Sequence, residues 1–232
     1  MKIKIMYSVH IPKTAGTYFR DYLFHLPFDA VYFYYERNED MGLRLSRLPV
    51  SISTKQDGWL NKLNKNQDDE NIQLINSVVI HGHYLAKTYL KDNNDNQFMT
   101  WVRDPVDRLL SHYSFWKNNS FPSDPNWINF NKRSMGIIEF SELKINQNIY
   151  FNYLEGLDLS KVFFIGVVEY MEESLKILED KFKISTNFTK PKLNVTVNKF
   201  TDISNEQKDY ILSLNKKDSE IYDFSLKAIG KY

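Results

Sequence analysis

The stretch His10-Ile11-Pro12-Lys13-Thr14-Ala15-Gly16-Thr17-Tyr18-Phe19 decides how the chain is read. It follows an alternating apolar run over residues 3–9 that reads as a strand, and it runs into residues 17–24, whose apolar spacing is that of an amphipathic helix. Strand, tight turn and helix in that order aim backbone N–H groups and the positive end of a helix dipole at an anion. Pro12 stiffens the approach and Gly16 lets the backbone come close to a ligand. Lys13 adds a point charge, Thr14 and Thr17 add hydroxyl donors, and the amides from Thr14 through Ala15 to Thr17 complete a cradle for a phosphate-like group.

The order of these residues limits the kind of cradle. A Walker A loop places its lysine after the second of two glycines and follows it with Ser or Thr for magnesium. Here Lys13 precedes the only glycine, and no acidic magnesium-holding strand is evident. A kinase built on a degenerate phosphate loop is therefore the alternative and not the first reading. A strand-to-helix turn with an exposed lysine is the plainer alternative.

Composition sets the frame. A chain of 232 residues with 42% hydrophobic and 25% charged residues has enough apolar material for one α/β domain spanning residues 1–232. The formal net charge of +1 gives no general attraction to nucleic acid, so an anion site has to be a local cluster. Without cysteine there is neither a disulfide framework nor a thiolate metal site. No apolar run approaches the length of a signal peptide core or a membrane span, and the expected compartment is the cytoplasm.

Further along, residues 30–35 read as a second strand, and residues 36–71 as an irregular excursion with a short helix near 58–63. A buried strand over residues 72–80 ends in His81-Gly82-His83, where residues two apart face the same side. Carboxyl ends of α/β strands are where such folds place ligands. The paired histidines thus read as catalytic ahead of a structural role or zinc ligation, for which no third ligand lies nearby. The next strand, from residue 97, ends in Arg103, a residue suited to gripping a phosphate. Asp104 and Pro105 read as the cap and first residue of a helix that could bring Ser111 to the same anion. The opposing reading pairs Arg103 with a nearby acid and leaves Arg108 and His112 on a solvated helix face. Residues 120–133 read as a polar, aromatic loop, 137–153 as helical and 161–168 as the last strand. A helix over 169–182 and two short C-terminal helices from about residues 204 and 218 follow.

Three motifs in fixed order, PKTAGT, HGH and VRDPVDRLLSHY, resemble the carbohydrate sulfotransferases related to heparan sulfate 2-O-sulfotransferase. Weaker similarity lies in IGVVEYMEESL, in LNVT at residues 193–196 and in the pattern over residues 218–222. The resemblance implies a three-layer, P-loop-like α/β fold with a mostly parallel central sheet between helices. It implies the donor 3′-phosphoadenosine 5′-phosphosulfate (PAPS), the product 3′,5′-ADP, no metal, and a carbohydrate or glycoconjugate acceptor. Lys13 with Thr14, Ala15, Gly16 and Thr17 would hold the 5′-phosphosulfate, Arg103 and Ser111 the 3′-phosphate, and Asn194 and Thr196 would be further cofactor contacts. His81 would be the general base, its ordinary pKa suiting neutral pH, with His83 orienting it or the acceptor; either histidine could be the base. A nucleotide-binding module without catalysis is the remaining alternative. The G-x-x-G-x-x-K element of the phenol and steroid sulfotransferases is absent from the sequence, which argues against that branch.

Overall fold

The computed structural model describes residues 4–34, 43–45, 51–52, 76–90, 97–186, 188 and 202–232, with the backbone alone for 43–45 and 51–52. Asn194, Thr196 and the helix expected near residues 58–63 lie outside these. Strands β1 (Lys4–Val9), β2 (Ala30–Tyr34), β3 (Leu43–Leu45), β4 (Ser51–Ile52), β5 (Ser77–Gly82), β6 (Gln97–Val102) and β7 (Phe164–Val167) form one sheet in the order β4-β3-β2-β5-β1-β6-β7. Strands β2, β5, β1, β6 and β7 run parallel, while β3 and β4 add an antiparallel edge. The sheet is thus mostly parallel, as the resemblance implied. The two edge strands were not expected, because they fall in the polar stretch read as irregular.

Helices cover both faces. Alternate residues of the central strands point to opposite sides, and their partners show which helices lie where. Met6, Val79, Met99 and Trp101 pack with Phe19 and Tyr22 of α1 (Gly16–Tyr22). Leu175 and Leu178 of α6 (Met171–Phe182) join the same cluster. Tyr7, Val9, Ile80 and Phe98 pack the other way, against Ile149 and Tyr150 of α5 (Ile149–Tyr153) and Ile221 and Leu226 of α8 (Lys216–Ala228). Each fully buried side chain of this size contributes about 1.5–3 kcal/mol, so the two faces fix the strand register.

A third cluster joins α2 (Pro105–Asn118), α3 (Pro125–Arg133), α4 (Ile137–Glu142) and α7 (Asn205–Leu214) around Tyr113, Trp116, Phe130, Phe140 and Ile211. Here the expectation of a loop over residues 120–133 is corrected. Asp124 accepts the Asn126 N–H at 2.9 Å and Pro125 opens a helix that buries Phe130. The same Asp-Pro start operates at α2, where Asp104 accepts the Asp107 N–H at 2.9 Å. The helix expected over 137–153 is broken into α4, a 3-10 turn at Lys144–Asn146 and α5, with Asn148 left-handed at φ 49°. Among the described residues no helix is long and apolar enough to cross a membrane, and no cluster of side chains could hold a metal ion.

Candidate active site

Strands β5, β1 and β6 lie side by side, so the three motifs leave the sheet together at one carboxyl edge. Ser8 pairs with His81, Val9 with Gly82, and Val9 with Thr100 on the other side. The loop after β1 is tied down at once, because the His10 N–H donates to the Gly82 carbonyl at 2.8 Å. Gly82 is needed for this approach: a Cβ there would lie 1.6 Å from the Tyr34 carbonyl oxygen, which accepts the His83 N–H at 3.1 Å. Within the loop Lys13 (φ 72°) and Ala15 (φ 60°, ψ 28°) are left-handed. Each costs about 1–3 kcal/mol and is a conformation in which neighbouring amides converge on an anion. Buried Thr14 donates its hydroxyl proton to the Ile11 carbonyl at 2.8 Å, so its amide is its donor toward a ligand. Thr17 is exposed on the first turn of α1.

The histidines of HGH do face one side, and His10 joins them. Its ring stacks on His83 at 4.3 Å between centroids and on His81 at 5.1 Å. Gly16 accommodates that ring, since a Cβ there would sit 1.7 Å from His10 Nε2. His81 is 1% exposed, lies edge-on to Phe19 and Phe33, and its Nδ1 is 2.8 Å from the Ser8 hydroxyl. Burial, with the fields of His83 and Arg20, holds its pKa down to about 3, which overturns the expectation of an ordinary histidine pKa there. His83 is half-buried at the strand end, and its Nδ1 lies 2.8 Å from the His10 carbonyl. A carbonyl only accepts, so Nδ1 carries the proton and Nε2 keeps the lone pair.

Two cations converge beside the stack. The Lys13 ammonium sits over the Phe115 ring at 4.1 Å, and no carboxylate lies within ion-pairing distance of it among the described residues. Burial and then the Arg103 charge hold its pKa below the ordinary lysine value. Arg103 lies between Asp107, at 3.9 Å, and Glu169, at 3.7 Å, both too far for a hydrogen bond, and its buried Nε has no hydrogen-bond partner. The acid pairing foreseen as an alternative is therefore present but leaves donors of the guanidinium uncommitted. Ser111, two turns along α2, is buried. Arg108 and His112 are not on a solvated face. Arg108 is 1% exposed and donates through Nη2 to the Asn146 carbonyl at 3.2 Å. His112 Nδ1 is 3.0 Å from Asn146 Oδ1, and burial with the Arg108 charge holds its pKa down to about 3.

Histidines that packing keeps neutral make the fold sensitive to acid. His10, whose pKa burial and the neighbouring His81 also hold well below 6.5, belongs with His81 and His112. Below pH 6.5 the unfolded chain binds a proton on each of them and the folded chain does not, so unfolding gains protons and stability falls with pH. The expected loss is about 1.4 kcal/mol per pH unit for each of His81 and His112 between about pH 6.5 and their folded values of about 3, with His10 adding in the same direction. Denaturant titrations at pH 7, 6 and 5 should show it, and equal midpoints at all three would disprove it.

Ser8, His10, Tyr150 and Glu169 belong to this site without having been picked out from the sequence. Only His10 carried a signal, as the residue opening the cradle. No protein-family model matches the sequence, and no curated protein matches it. Solved structures do. Mouse sulfotransferase SULT7A1, solved in complex with PAP, superposes with a TM-score of 0.56 at 12% identity, covering 100% of this chain and 90% of that one. A sulfotransferase from Alicyclobacillus acidocaldarius gives a TM-score of 0.49 at 12% identity, covering 97% and 96%. The mouse structure shows that this chain has the fold of a sulfotransferase.

Proposed function

We propose that the chain is a sulfotransferase, carrying a sulfuryl group from PAPS to a hydroxyl of a carbohydrate or glycoconjugate and leaving 3′,5′-ADP. The observation that carries the reading is the approach of Lys13 and Arg103 from adjacent strand ends. Lys13 has no carboxylate within ion-pairing distance among the described residues, Arg103 is flanked by Asp107 and Glu169 beyond hydrogen-bond reach, and burial and then the Arg103 charge make Lys13 less basic. Like charges so placed are relieved by an anion between or beside them. Support for a donor of this class comes from the PAP bound to a protein of the same fold. The carbohydrate acceptor rests on the motif resemblance.

PAPS would supply a sulfuryl group on a 5′-phosphate leaving group. Lys13 and the amides of Thr14, Ala15, Gly16 and Thr17 would bind that end, and the lysine would neutralise charge gathering on the phosphate. Arg103 and Ser111 would bind the 3′-phosphate. Asn194 and Thr196 stay in the proposal as cofactor contacts on the resemblance alone. His83 is assigned as the base that takes the acceptor's hydroxyl proton on Nε2. His81, buried and hard to protonate, holds the stack in place. Favouring His83 are its position at the open strand end and the proton fixed on its Nδ1.

The test is calorimetric titration with 3′,5′-ADP, 5′-AMP and ATP. Charge-assisted hydrogen bonds are worth about 1.5–3 kcal/mol, so Arg103→Ala should weaken 3′,5′-ADP roughly ten- to hundred-fold and leave 5′-AMP nearly unchanged. Equal losses would place Arg103 in the fold or at the adenine. Tight ATP binding with magnesium-dependent turnover would instead support the kinase alternative.

A further inference from the structure

The C-terminal pattern over residues 218–222 has no part in the mechanism above, yet Asp218 and Tyr222 lie four apart on one side of α8, with its cap residue Asn215 three before Asp218. Asn215 and Asp218 are buried. Asn215 Oδ1 accepts the Asn148 N–H at 2.9 Å, and Asp218 Oδ1 accepts the Phe151 N–H at 3.1 Å. In return Asn148 Oδ1 accepts the Lys217 N–H at 3.1 Å, and its Nδ2 donates to the Leu214 carbonyl at 3.2 Å. Helix α5 has no side-chain cap of its own, and Asp218 supplies one from across the core.

What α5 carries is Tyr150, fully buried, whose hydroxyl donates to the Arg103 carbonyl at 2.5 Å and accepts the Arg103 N–H at 3.3 Å. One phenol thereby holds both backbone polar groups of the arginine. The side chain is approached by a second route from the same helix. Tyr222 donates to Glu169 Oε2 at 3.4 Å, and Glu169 Oε1 accepts the Asp104 N–H at 3.1 Å and lies 3.7 Å from Arg103 Nε. The backbone is thus held by hydrogen bonds, and the guanidinium flanked by a carboxylate, through chains of contacts that end on α8.

We infer that α8 positions Arg103 for the 3′-phosphate through Asp218 and Tyr150 on one route and Tyr222 and Glu169 on the other, an inference that rests on the sulfotransferase reading above. A two-pronged grip on phosphate requires a guanidinium fixed within a fraction of an ångström, and Arg103 stands at a strand end where its own neighbours do not fix it. Tyr150 and Tyr222 are positioning residues, acting through Arg103 and not on the ligand.

The experiment measures 3′,5′-ADP and 5′-AMP affinities in Tyr150→Phe, Tyr222→Phe, Arg103→Ala and the Tyr150→Phe/Arg103→Ala double variant. Loss of a hydrogen bond that aims a charged group should cost Tyr150→Phe about five-fold in 3′,5′-ADP affinity, with 5′-AMP unchanged. In the Arg103→Ala background the same substitution should have no effect on the ratio of the two affinities. Tyr222→Phe, at a half-buried residue, should lower that ratio about two-fold, and it decides the matter if Tyr150→Phe does not fold. A purely structural role would shift the unfolding midpoint and leave the ratio alone. An unchanged ratio in both tyrosine variants, with Arg103→Ala still losing it, would overturn the positioning role and spare the functional reading. No preference for 3′,5′-ADP in the wild-type protein would overturn both.

Discussion

Replacing His83 with alanine is expected to lower turnover by about 10²–10⁴-fold, the usual worth of a positioned general base, while 3′,5′-ADP affinity and the unfolding midpoint stay near wild type. The reason is the proton's address. With Nδ1–H given to the His10 carbonyl at 2.8 Å, the ring has one lone pair to offer, on Nε2. On the proposed reading the step would move the acceptor's hydroxyl proton to that nitrogen as the acceptor oxygen bonds to sulfur and the bond from sulfur to the 5′-phosphate oxygen breaks, releasing 3′,5′-ADP. His81→Ala should behave in the opposite way. Its ring is packed against Phe19, Phe33 and His10, and its removal leaves the buried Ser8 hydroxyl without the imidazole, at a cost of about 1–3 kcal/mol in stability. Single-turnover rates at saturating donor, taken beside denaturant midpoints, separate the two. Normal turnover in His83→Ala with loss of turnover in a folded His81→Ala would reverse the assignment; normal turnover in both would make the pair structural.

Lys13→Ala should cost about 10²–10³-fold in turnover, the range seen when a single stabilising donor is removed from a site of developing charge. Its effect on 3′,5′-ADP binding should be much smaller, about ten-fold at most, because Arg103 and the loop amides remain. The split follows from where the lysine stands. Its ammonium is already partly desolvated over Phe115 and within the field of Arg103, so it gains most when negative charge appears beside it during the reaction. A mutant that turns over normally but binds weakly would put Lys13 in ground-state recognition, and one that does both normally would remove it from the site.

Much of this was readable in advance because the signals are local. An alternating run, then Pro12, Lys13 and Gly16, then helix spacing is enough to place β1, the loop and α1. The Asp-Pro start that placed α2 also opens α3, where the cluster of Asn, Ser and Pro masked it. The split of residues 137–153 depends on left-handed Asn148, whose side chain bonds across the core to Lys217 and Leu214, a contact that no window of sequence contains. The same limit applies to the histidines. Spacing puts His81 and His83 on one side of a strand, but that one is sealed among aromatic rings and the other stands at the rim follows from packing by α1 and β2. Gly16 is the clearest case: its need for an absent side chain was legible, and the group that fills the space, His10, was not.

The left-handed Lys13 and Ala15 bear on how portable this loop is. Neither residue takes that backbone shape by preference. Two contacts accompany it: one from far along the chain, the β5 carbonyl of Gly82 that ties down His10, and one local, the ring of His10 lodged over Gly16. The octapeptide from His10 to Thr17, synthesised alone, would relax into ordinary extended and right-handed conformers and lose its converging amides. Grafted into another β-α junction, it would need the neighbouring strand with Gly82 to travel with it. The smallest transferable unit of this loop is thus two strands and a turn, not a motif.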